Sequence, residues 1–252
     1  MSPANPRAST PRLPTTADAS AYVTADASTN VTGSAGVSRG QATEVQPRKR
    51  VRLSREERIE QIIEAGTRLI GENGFYGLSL QQVADEVGLT QAGLLHYVHS
   101  KEGMLQLIIE QRYDRRFDPE DYIETGDPLA THPDGASFPG YLRYLVENNA
   151  KDEQLIRLYM VLGTESTSPE HPAHAYFNNR PSTVWELYAR TAWRIPPSLG
   201  SFKDIRPLVD MALQSMDGLQ LRFLRAPRIE LTEAWAEFES VLFPSPLWDG
   251  FK

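Results

Sequence analysis

The side chains best suited to recognition chemistry lie in one short stretch, from Thr90 to Tyr97. Thr90, Gln91, His96 and Tyr97 can each donate or accept hydrogen bonds. A glutamine can pair with the edge of an adenine through two hydrogen bonds, and a threonine can meet a thymine methyl group or a phosphate. These residue types suit the reading of a DNA groove, provided that one exposed side of a helix presents them.

The pattern around these residues predicts two short helices joined by a tight turn, over about residues 79–98. Ser79 followed by Gln82 is a capping-box pattern, which begins a helix. Gly88 supplies the left-handed position that ends this helix, and Thr90 is a suitable cap for the next one. The result is a helix-turn-helix whose second helix can enter the major groove. The alternative for the stretch alone is a buried helical hairpin with no role in DNA binding.

A basic run just before these helices offers phosphate contacts. The formal net charge of the whole chain is -7, but the acidity lies in residues 117–252. A local basic cluster matters more for phosphate contact than the sum over the chain. We interpret the run as an arm on DNA, with a solvated linker as the alternative. The predicted DNA contacts are Arg48, Lys49, Arg50, Arg52, Ser79, Thr90, Gln91, Ala92, Gly93, His96, Tyr97 and Lys101.

The composition gives little support to a catalytic or metal site. The chain has no cysteine, which excludes disulfides, thiol catalysis and cysteine-ligated metals. The serines lack the G-x-S-x-G pattern and the histidines lack a partner pattern, so we predict no catalytic residues. His171 and His174 have no clear third ligand, and we interpret them as part of a solvated loop rather than a metal site. We therefore predict no enzyme, no metal and no cofactor.

The chain ends and the hydropathy favour a cytoplasmic protein with no membrane partner. No apolar run approaches the roughly 20 residues needed to cross a bilayer. The N-terminus lacks the apolar core of a signal peptide. Residues 1–47 are rich in Ala, Ser, Thr and Pro, so we expect them to be disordered; a start codon placed too early is an alternative explanation.

Helical periodicity and capping signals predict an all-α fold with three parts. We expect a disordered tail at 1–47, a three-helix DNA-binding domain with the helix-turn-helix at 48–116, and a second helical domain at 117–252. Within the last part, residues 117–136 are rich in Pro, Gly and Asp and predict a loop. Later helices are predicted from about Ala173 to Trp193 and from a cap at Thr232 onwards.

The last two predicted helices are apolar on more than one face, which favours a partner surface. Two such helices from each subunit can form a four-helix interface with two-fold symmetry. A symmetric dimer would place two reading helices about 34–36 Å apart, as a palindromic operator requires. Gly218 either allows close helix approach or is an ordinary tolerated glycine. The predicted interface residues are Leu213, Met216, Gly218, Leu221, Trp235, Phe238 and Leu242.

A set of residues in the first four predicted helices follows the pattern of one known family. They are the isoleucines of the first helix, Glu72-Asn73-Gly74-Phe75, Gly77, Ser79, Val83-Ala84, Gly88-Leu89-Thr90, Leu94, Tyr97, Ser100-Lys101-Glu102 and Leu105. On these residues, the stretch from Ser54 to Tyr113 resembles the N-terminal domain of TetR/AcrR-family transcriptional regulators. The family often has aromatic residues where Leu95 and Val98 stand here, and a histidine at Tyr97. These departures leave the predicted fold intact.

The resemblance implies a function for the C-terminal part, as a domain that binds a small apolar or amphipathic ligand inside a helical bundle. On this resemblance, residues 117–252 form a helical ligand-binding and dimerisation domain. Together with the two-part layout, it predicts a homodimer that binds double-stranded DNA and releases it when a ligand shifts the helix after the helix-turn-helix. Repression is the commoner role in the family, and activation is the alternative. The candidate lining residues are Tyr144, Tyr159, Leu162, Trp185, Tyr188 and Met211, although aromatic residues at helical spacing more often form ordinary core. Two alternatives are a helical protein-interaction module without specific DNA binding and an all-helical enzyme.

Overall fold

The computed structural model describes residues 53–113, 118–226 and 228–252. Over these ranges the chain forms ten α-helices and one small parallel sheet of two strands, as the all-α prediction required. The tail at 1–47 and the basic residues Arg48, Lys49, Arg50 and Arg52 lie outside the described residues.

The helices are α1 Arg55–Gly77, α2 Leu80–Glu86, α3 Gln91–Val98, α4 Lys101–Ile108, α5 Pro119–Glu124, α6 Phe138–Ala150, α7 Glu153–Glu165, α8 His174–Arg190, α9 Arg206–Arg225 and α10 Leu231–Leu242. The strands are β1 Ala136–Ser137 and β2 Trp193–Arg194.

The first helix begins at a capping box and bends at Gly74. The Ser54 hydroxyl accepts a hydrogen bond from the Glu57 amide, and the Glu57 carboxylate accepts one from the Ser54 amide, which completes a capping box. The helical backbone breaks at Gly74, where φ is 74° and ψ is 167°. This conformation is open to glycine and strained for other residues. The break turns the chain towards α2 and places Phe75 in the core, at 2% exposure.

One helix from the C-terminal part completes the core of the first four helices. Leu155, Leu158 and Leu162 of α7 are buried in the same apolar cluster as Ile62, Phe75 and other residues of the first four helices. Ile156, on another side of α7, is buried in the second cluster, which α6, α9 and α10 also fill. Helix α7 therefore belongs to both cores at once.

A hydrogen bond joins the end of α7 to the bend in α1. The Glu165 carboxylate accepts a hydrogen bond of 2.7 Å from the Phe75 backbone amide. A Cβ atom at position 74 would overlap the same carboxylate. Gly74 is thus required twice, by its backbone conformation and by the close approach of Glu165.

The stretch predicted as a loop at 117–136 contains α5 and β1, so that prediction was wrong. Asp118 caps α5 by accepting a hydrogen bond from the Glu120 amide, and the Tyr122 ring is buried. The signal that the loop prediction missed is this cap followed by Pro119 at the first helical position.

Two helix ends also differ from their predictions. Helix α8 ends at Arg190 rather than Trp193, because β2 pairs in parallel with β1 and the Trp193 indole donates a hydrogen bond to the Tyr188 carbonyl. Thr232 lies inside α10, whose cap position is Glu230 without a side-chain cap hydrogen bond. None of the described helices has both the length and the apolar character that crossing a bilayer needs.

Replacing Gly74 with alanine should destabilise the protein more than the same change at Gly88. Both positions have a positive φ, 74° and 68°, so alanine is strained at either one, by about 1–2 kcal/mol for a left-handed residue. The strain at position 74 is larger still, because its ψ of 167° lies in a region open essentially to glycine alone. Only the new methyl group at position 74 would also displace Glu165, because no heavy atom lies within 4 Å of a Cβ at position 88. Loss of the buried hydrogen bond to Phe75 adds about 1–3 kcal/mol to the cost.

Urea unfolding of the two variants, followed by circular dichroism, measures this difference in the free energy of unfolding. Equal losses for Gly74→Ala and Gly88→Ala would contradict the role given to the Glu165 contact.

Candidate nucleic-acid interface and internal cavity

The second helix of the helix-turn-helix, α3, has one buried side and one exposed side. Leu94 and Val98 are buried in the core, whereas Gln91, Ala92 and His96 are exposed. Thr90 precedes the helix, and its hydroxyl accepts a hydrogen bond of 3.1 Å from the amide of the third helical residue. The exposed side therefore carries a polar first turn held in place by a cap and a packed core.

The remaining predicted contacts of this unit take different positions. Gly93 and Tyr97 are half-buried, and the Tyr97 ring lies edge-on to His96 with centroids 5.9 Å apart. Ser79 is exposed, but its hydroxyl accepts a hydrogen bond from the Gln82 amide as the cap of α2. Ser79 thus has a structural duty that does not depend on DNA.

Lys101 lies at the start of α4 and packs on Phe75. Its ammonium nitrogen is 4.6 Å from the centroid of the Phe75 ring, which is a cation–π contact. Next to it, hydrogen bonds from the Glu102 backbone amide and the Ser100 side chain lower the pKa of the Glu102 carboxyl. The N-terminus of α4 therefore already stabilises the carboxylate of Glu102.

Two arginines of α1 fix the orientation of α2. Arg58 donates a hydrogen bond of 2.7 Å to the Val87 carbonyl at the end of α2. Arg68 forms ion pairs with Glu72 and Glu86, and the hydrogen bonds that it donates to the carboxylates of Glu86 and Glu72 raise its pKa. These contacts connect α1 to the first helix of the helix-turn-helix.

His171 does not lie in a solvated loop, so that prediction was wrong. Its side chain is fully buried and contacts the rings of Phe75 and Tyr76 edge-on, with both centroid distances at 5.3 Å. Its Nε2 atom lies 3.6 Å from the Glu165 carboxylate, and burial lowers the pKa of the imidazole. The loop before α8 therefore packs on the bend that leads into α2.

A cavity of about 210 Å³ lies among helices α6, α7, α8 and α9. Two of the six predicted lining residues, Tyr159 and Tyr188, line this cavity. The Tyr188 hydroxyl lies 3.3 Å from that of Tyr141, and burial raises the pKa of Tyr188 to about 12. Tyr188 therefore presents a neutral phenol.

The other four predicted lining residues lie elsewhere, because their side chains have other packing partners or face solvent. Tyr144 packs against Tyr122, with ring centroids 5.5 Å apart, and Leu162 is buried in the core of the first four helices. Trp185 stacks on Phe202 with an interplanar angle of 8°. Met211 is 52% exposed.

The polar part of the cavity lining was missed by sequence reasoning. Arg180, Asp210, Asp217 and Gln220 all line the cavity. Burial raises the pKa of the Asp217 carboxyl to about 6, and Arg180 acts in the opposite direction. The available signal was the presence of charged residues within the apolar patterns of α8 and α9.

The predicted interface residues divide into exposed and buried sets. Leu221 and Phe238 are exposed, Leu213 is half-buried, and Gly218 faces open space. Met216, Trp235 and Leu242 are covered by the chain's own core, so their side chains do not form a free surface, and the prediction is corrected for them. Met211 and Val241, which were not predicted as interface residues, are 52% and 77% exposed.

Comparison with known proteins gives a family for the N-terminal domain. Residues 62–108 match the family model described as bacterial regulatory proteins, tetR family. These residues span most of α1, both helices of the helix-turn-helix and all of α4. A search of curated proteins finds no match.

Solved structures share the fold along most of the chain. The fatty acid degradation regulator FadR from Bacillus halodurans is similar with a TM-score of 0.59 and 15% identity, over 75% of this chain and 96% of that one. NalD, the secondary repressor of the MexAB-OprM multidrug efflux pump in Pseudomonas aeruginosa, is similar with a TM-score of 0.53 and 19% identity, over 75% and 96%. At these identities the likeness shows the fold alone.

The helix-turn-helix, whose second helix is capped by Thr90, and the family match over residues 62–108 both indicate a DNA-binding domain. Residues 62–108 therefore form a DNA-binding domain of the type found in bacterial regulatory proteins of the tetR family.

Proposed function

We propose that this transcriptional regulator is a ligand-responsive repressor, which binds a palindromic operator as a homodimer and releases it when a small molecule enters the cavity. The observation that carries the proposal is the double role of α7. One side of this helix lines the cavity and another completes the core of the DNA-binding domain. The tetR-family match over residues 62–108 supports a regulator over the alternative of an enzyme.

The exposed side of α3 supports reading in the major groove. Gln91 and Ala92 lie in the first exposed turn, which is the part of a recognition helix that reaches base edges. Gln91 can contact adenine through two hydrogen bonds, while Thr90 and Lys101 are placed for phosphates. The basic run Arg48–Arg52 remains a proposed phosphate or minor-groove arm.

Exposed apolar residues on the last two helices support a two-fold dimer. Met211 and Leu221 on α9, with Phe238 and Val241 on α10, are large apolar side chains that the chain itself does not cover. Gly218 lies on the same exposed side of α9 as Leu221, with no atom within 4 Å of its Cβ position, so a second helix can approach there closely. A second copy of the chain would bury this set and pair the reading helices.

Helix α7 offers a direct path from the cavity to the reading unit. Ile156 and Tyr159 line the cavity, and the Glu165 carboxylate at the end of the helix holds the Phe75 amide. Phe75 in turn packs under Lys101 at the start of α4. Displacement of α7 by a ligand would therefore move both flanks of the helix-turn-helix. A difference of a few kcal/mol in ligand affinity between the two states is sufficient to release DNA.

The test of this function is a selection of random duplex DNA on the purified full chain at two salt concentrations. We expect a palindromic motif whose affinity falls steeply with salt, because the contacts to phosphate release counterions. Salt-sensitive binding without a shared motif in the selected DNA would contradict sequence-specific binding to an operator. No binding at low salt would instead favour the remaining alternative, a helical protein-interaction module.

Replacing Gln91 with alanine should weaken binding to the selected duplex by about 1–3 kcal/mol, since a bidentate contact to a base is lost. Gln106→Ala is the matched control, because Gln106 is an exposed glutamine of α4 that donates a hydrogen bond to Glu110. Fluorescence anisotropy with the selected duplex and a scrambled one measures both variants. Equal losses on the two duplexes would show that Gln91 reads no base.

Replacing Val241 with glutamate should convert the dimer to monomers, because the charge would be buried at the proposed interface without a partner. Leu247→Glu is the control, since Leu247 is an exposed apolar residue outside α9 and α10. Sedimentation velocity gives the oligomeric state, and circular dichroism confirms that both variants are folded. A dimer that survives Val241→Glu unchanged would contradict the proposed surface.

A further inference from the structure

We propose that the cavity among helices α6 to α9 selects a cationic amphipathic ligand, an alkyl or aryl amine or quaternary ammonium compound, with Asp217 as the counter-ion. This inference rests on the proposed function, since it names the chemical class of the molecule that would act there.

The walls of the cavity suit the apolar part of such a ligand. Leu155, Ile156 and Leu213 contribute aliphatic surface. The rings of Tyr159, Phe177 and Tyr188 also line the space, and the first two pack with centroids 5.3 Å apart. Aromatic faces attract ammonium groups by cation–π interaction. At about 210 Å³ the cavity is smaller than the roughly 300–1,000 Å³ of typical ligand sites, which favours a small ligand.

The charged residues of the cavity lining favour a cation over an anion. Among the residues that the structure describes, the lining contains two carboxylates, Asp210 and Asp217, and one guanidinium, Arg180. Arg180 is already engaged, because it donates a hydrogen bond of 2.5 Å to the Tyr176 hydroxyl and lies 5.8 Å from the centroid of the Tyr159 ring. Asp210 has an ion pair of 3.9 Å with Arg206.

Of the two carboxylates, Asp217 has the fewer partners to balance its negative charge. Over the residues that the structure describes, no side chain lies within hydrogen-bond or ion-pair distance of its carboxylate. Part of the residue stays exposed at the mouth of the cavity, yet burial raises the pKa of its carboxyl to about 6 despite the opposing effect of Arg180. A ligand cation placed beside Asp217 would supply a positive charge that stabilises the ionised carboxylate.

A proline in α8 adds a backbone acceptor to the same wall. Pro181 lies inside the helix and lines the cavity together with Phe177. Because proline has no amide hydrogen, the Phe177 carbonyl loses the helical donor four residues later. A ligand ammonium bearing hydrogens could donate to this carbonyl, whereas a carboxylate ligand would be repelled by it.

The experiment compares three probes with the same chain length, octyltrimethylammonium, octan-1-ol and octanoate, by calorimetric titration of the full chain at pH 7.5. We expect the ammonium probe to bind at least about tenfold more tightly than octanoate, because only the cation gains from the carboxylate and the rings. Equal or tighter binding of octanoate, or no binding of the ammonium probe, would overturn the proposal.

The variant Asp217→Asn should weaken ammonium binding by about tenfold or more and leave octanol binding unchanged. Asp134→Asn is the control, because Asp134 lies in an exposed loop away from the cavity. Ammonium affinity should also fall between pH 7.5 and pH 5, as Asp217 takes up a proton and loses its charge. An Asp217→Asn protein that binds the ammonium probe as wild type does would overturn the role of this residue.

A parallel assay of DNA release separates this inference from the proposed function. If octyltrimethylammonium binds through Asp217 but leaves the selected duplex bound at saturation, the ligand class stands and the induction mechanism fails. If octanoate binds more tightly and releases the duplex, the repressor mechanism stands and the cationic ligand is overturned.

Discussion

The hydrogen bond from the Phe75 amide to the Glu165 carboxylate is the contact on which the functional architecture depends. It joins the bend of α1 to the end of α7, and Gly74 is needed so that the two can approach. The same helix fills the core of the DNA-binding domain with Leu158 and lines the cavity with Tyr159. Under the proposed function, a ligand in the cavity would act on a helix that also forms part of the core of the DNA-binding domain. Such a shared helix would let a small ligand have an effect at a distance.

Local signals in the sequence predicted the reading unit in detail. The capping box at Ser79, the cap at Thr90 and the left-handed Gly88 all take the predicted conformations. Each of these features depends on residues within three or four positions along the chain, so a single sequence contains the information. The core positions of α1 were predictable for the same reason, because helical periodicity is local.

Features made by distant residues were not predictable in this way. His171 follows a proline-rich loop, and only packing on Phe75 and Tyr76 buries it. Trp235 has the size and spacing of an interface residue but is used in the chain's own core. The charged lining of the cavity depends on how α8 and α9 are rotated relative to each other, which periodicity does not give. Sequence reasoning thus located the helix-turn-helix and the helical character of the C-terminal part, but it assigned few of the residues that line the cavity.

The most direct test of this architecture is the distance between the two reading helices in solution. The chain has no cysteine, so Ala92→Cys on the exposed side of α3 accepts one nitroxide label per subunit. Pulsed electron paramagnetic resonance would then measure the distance between labels in the free protein. If the protein is a dimer that pairs its two α3 helices, the label-to-label distances form one narrow distribution near the duplex repeat of about 34–36 Å. This distribution should shift when a ligand binds in the cavity. The absence of any dipolar coupling between labels, or a distribution that saturating ligand leaves unchanged, would contradict a ligand-controlled dimer.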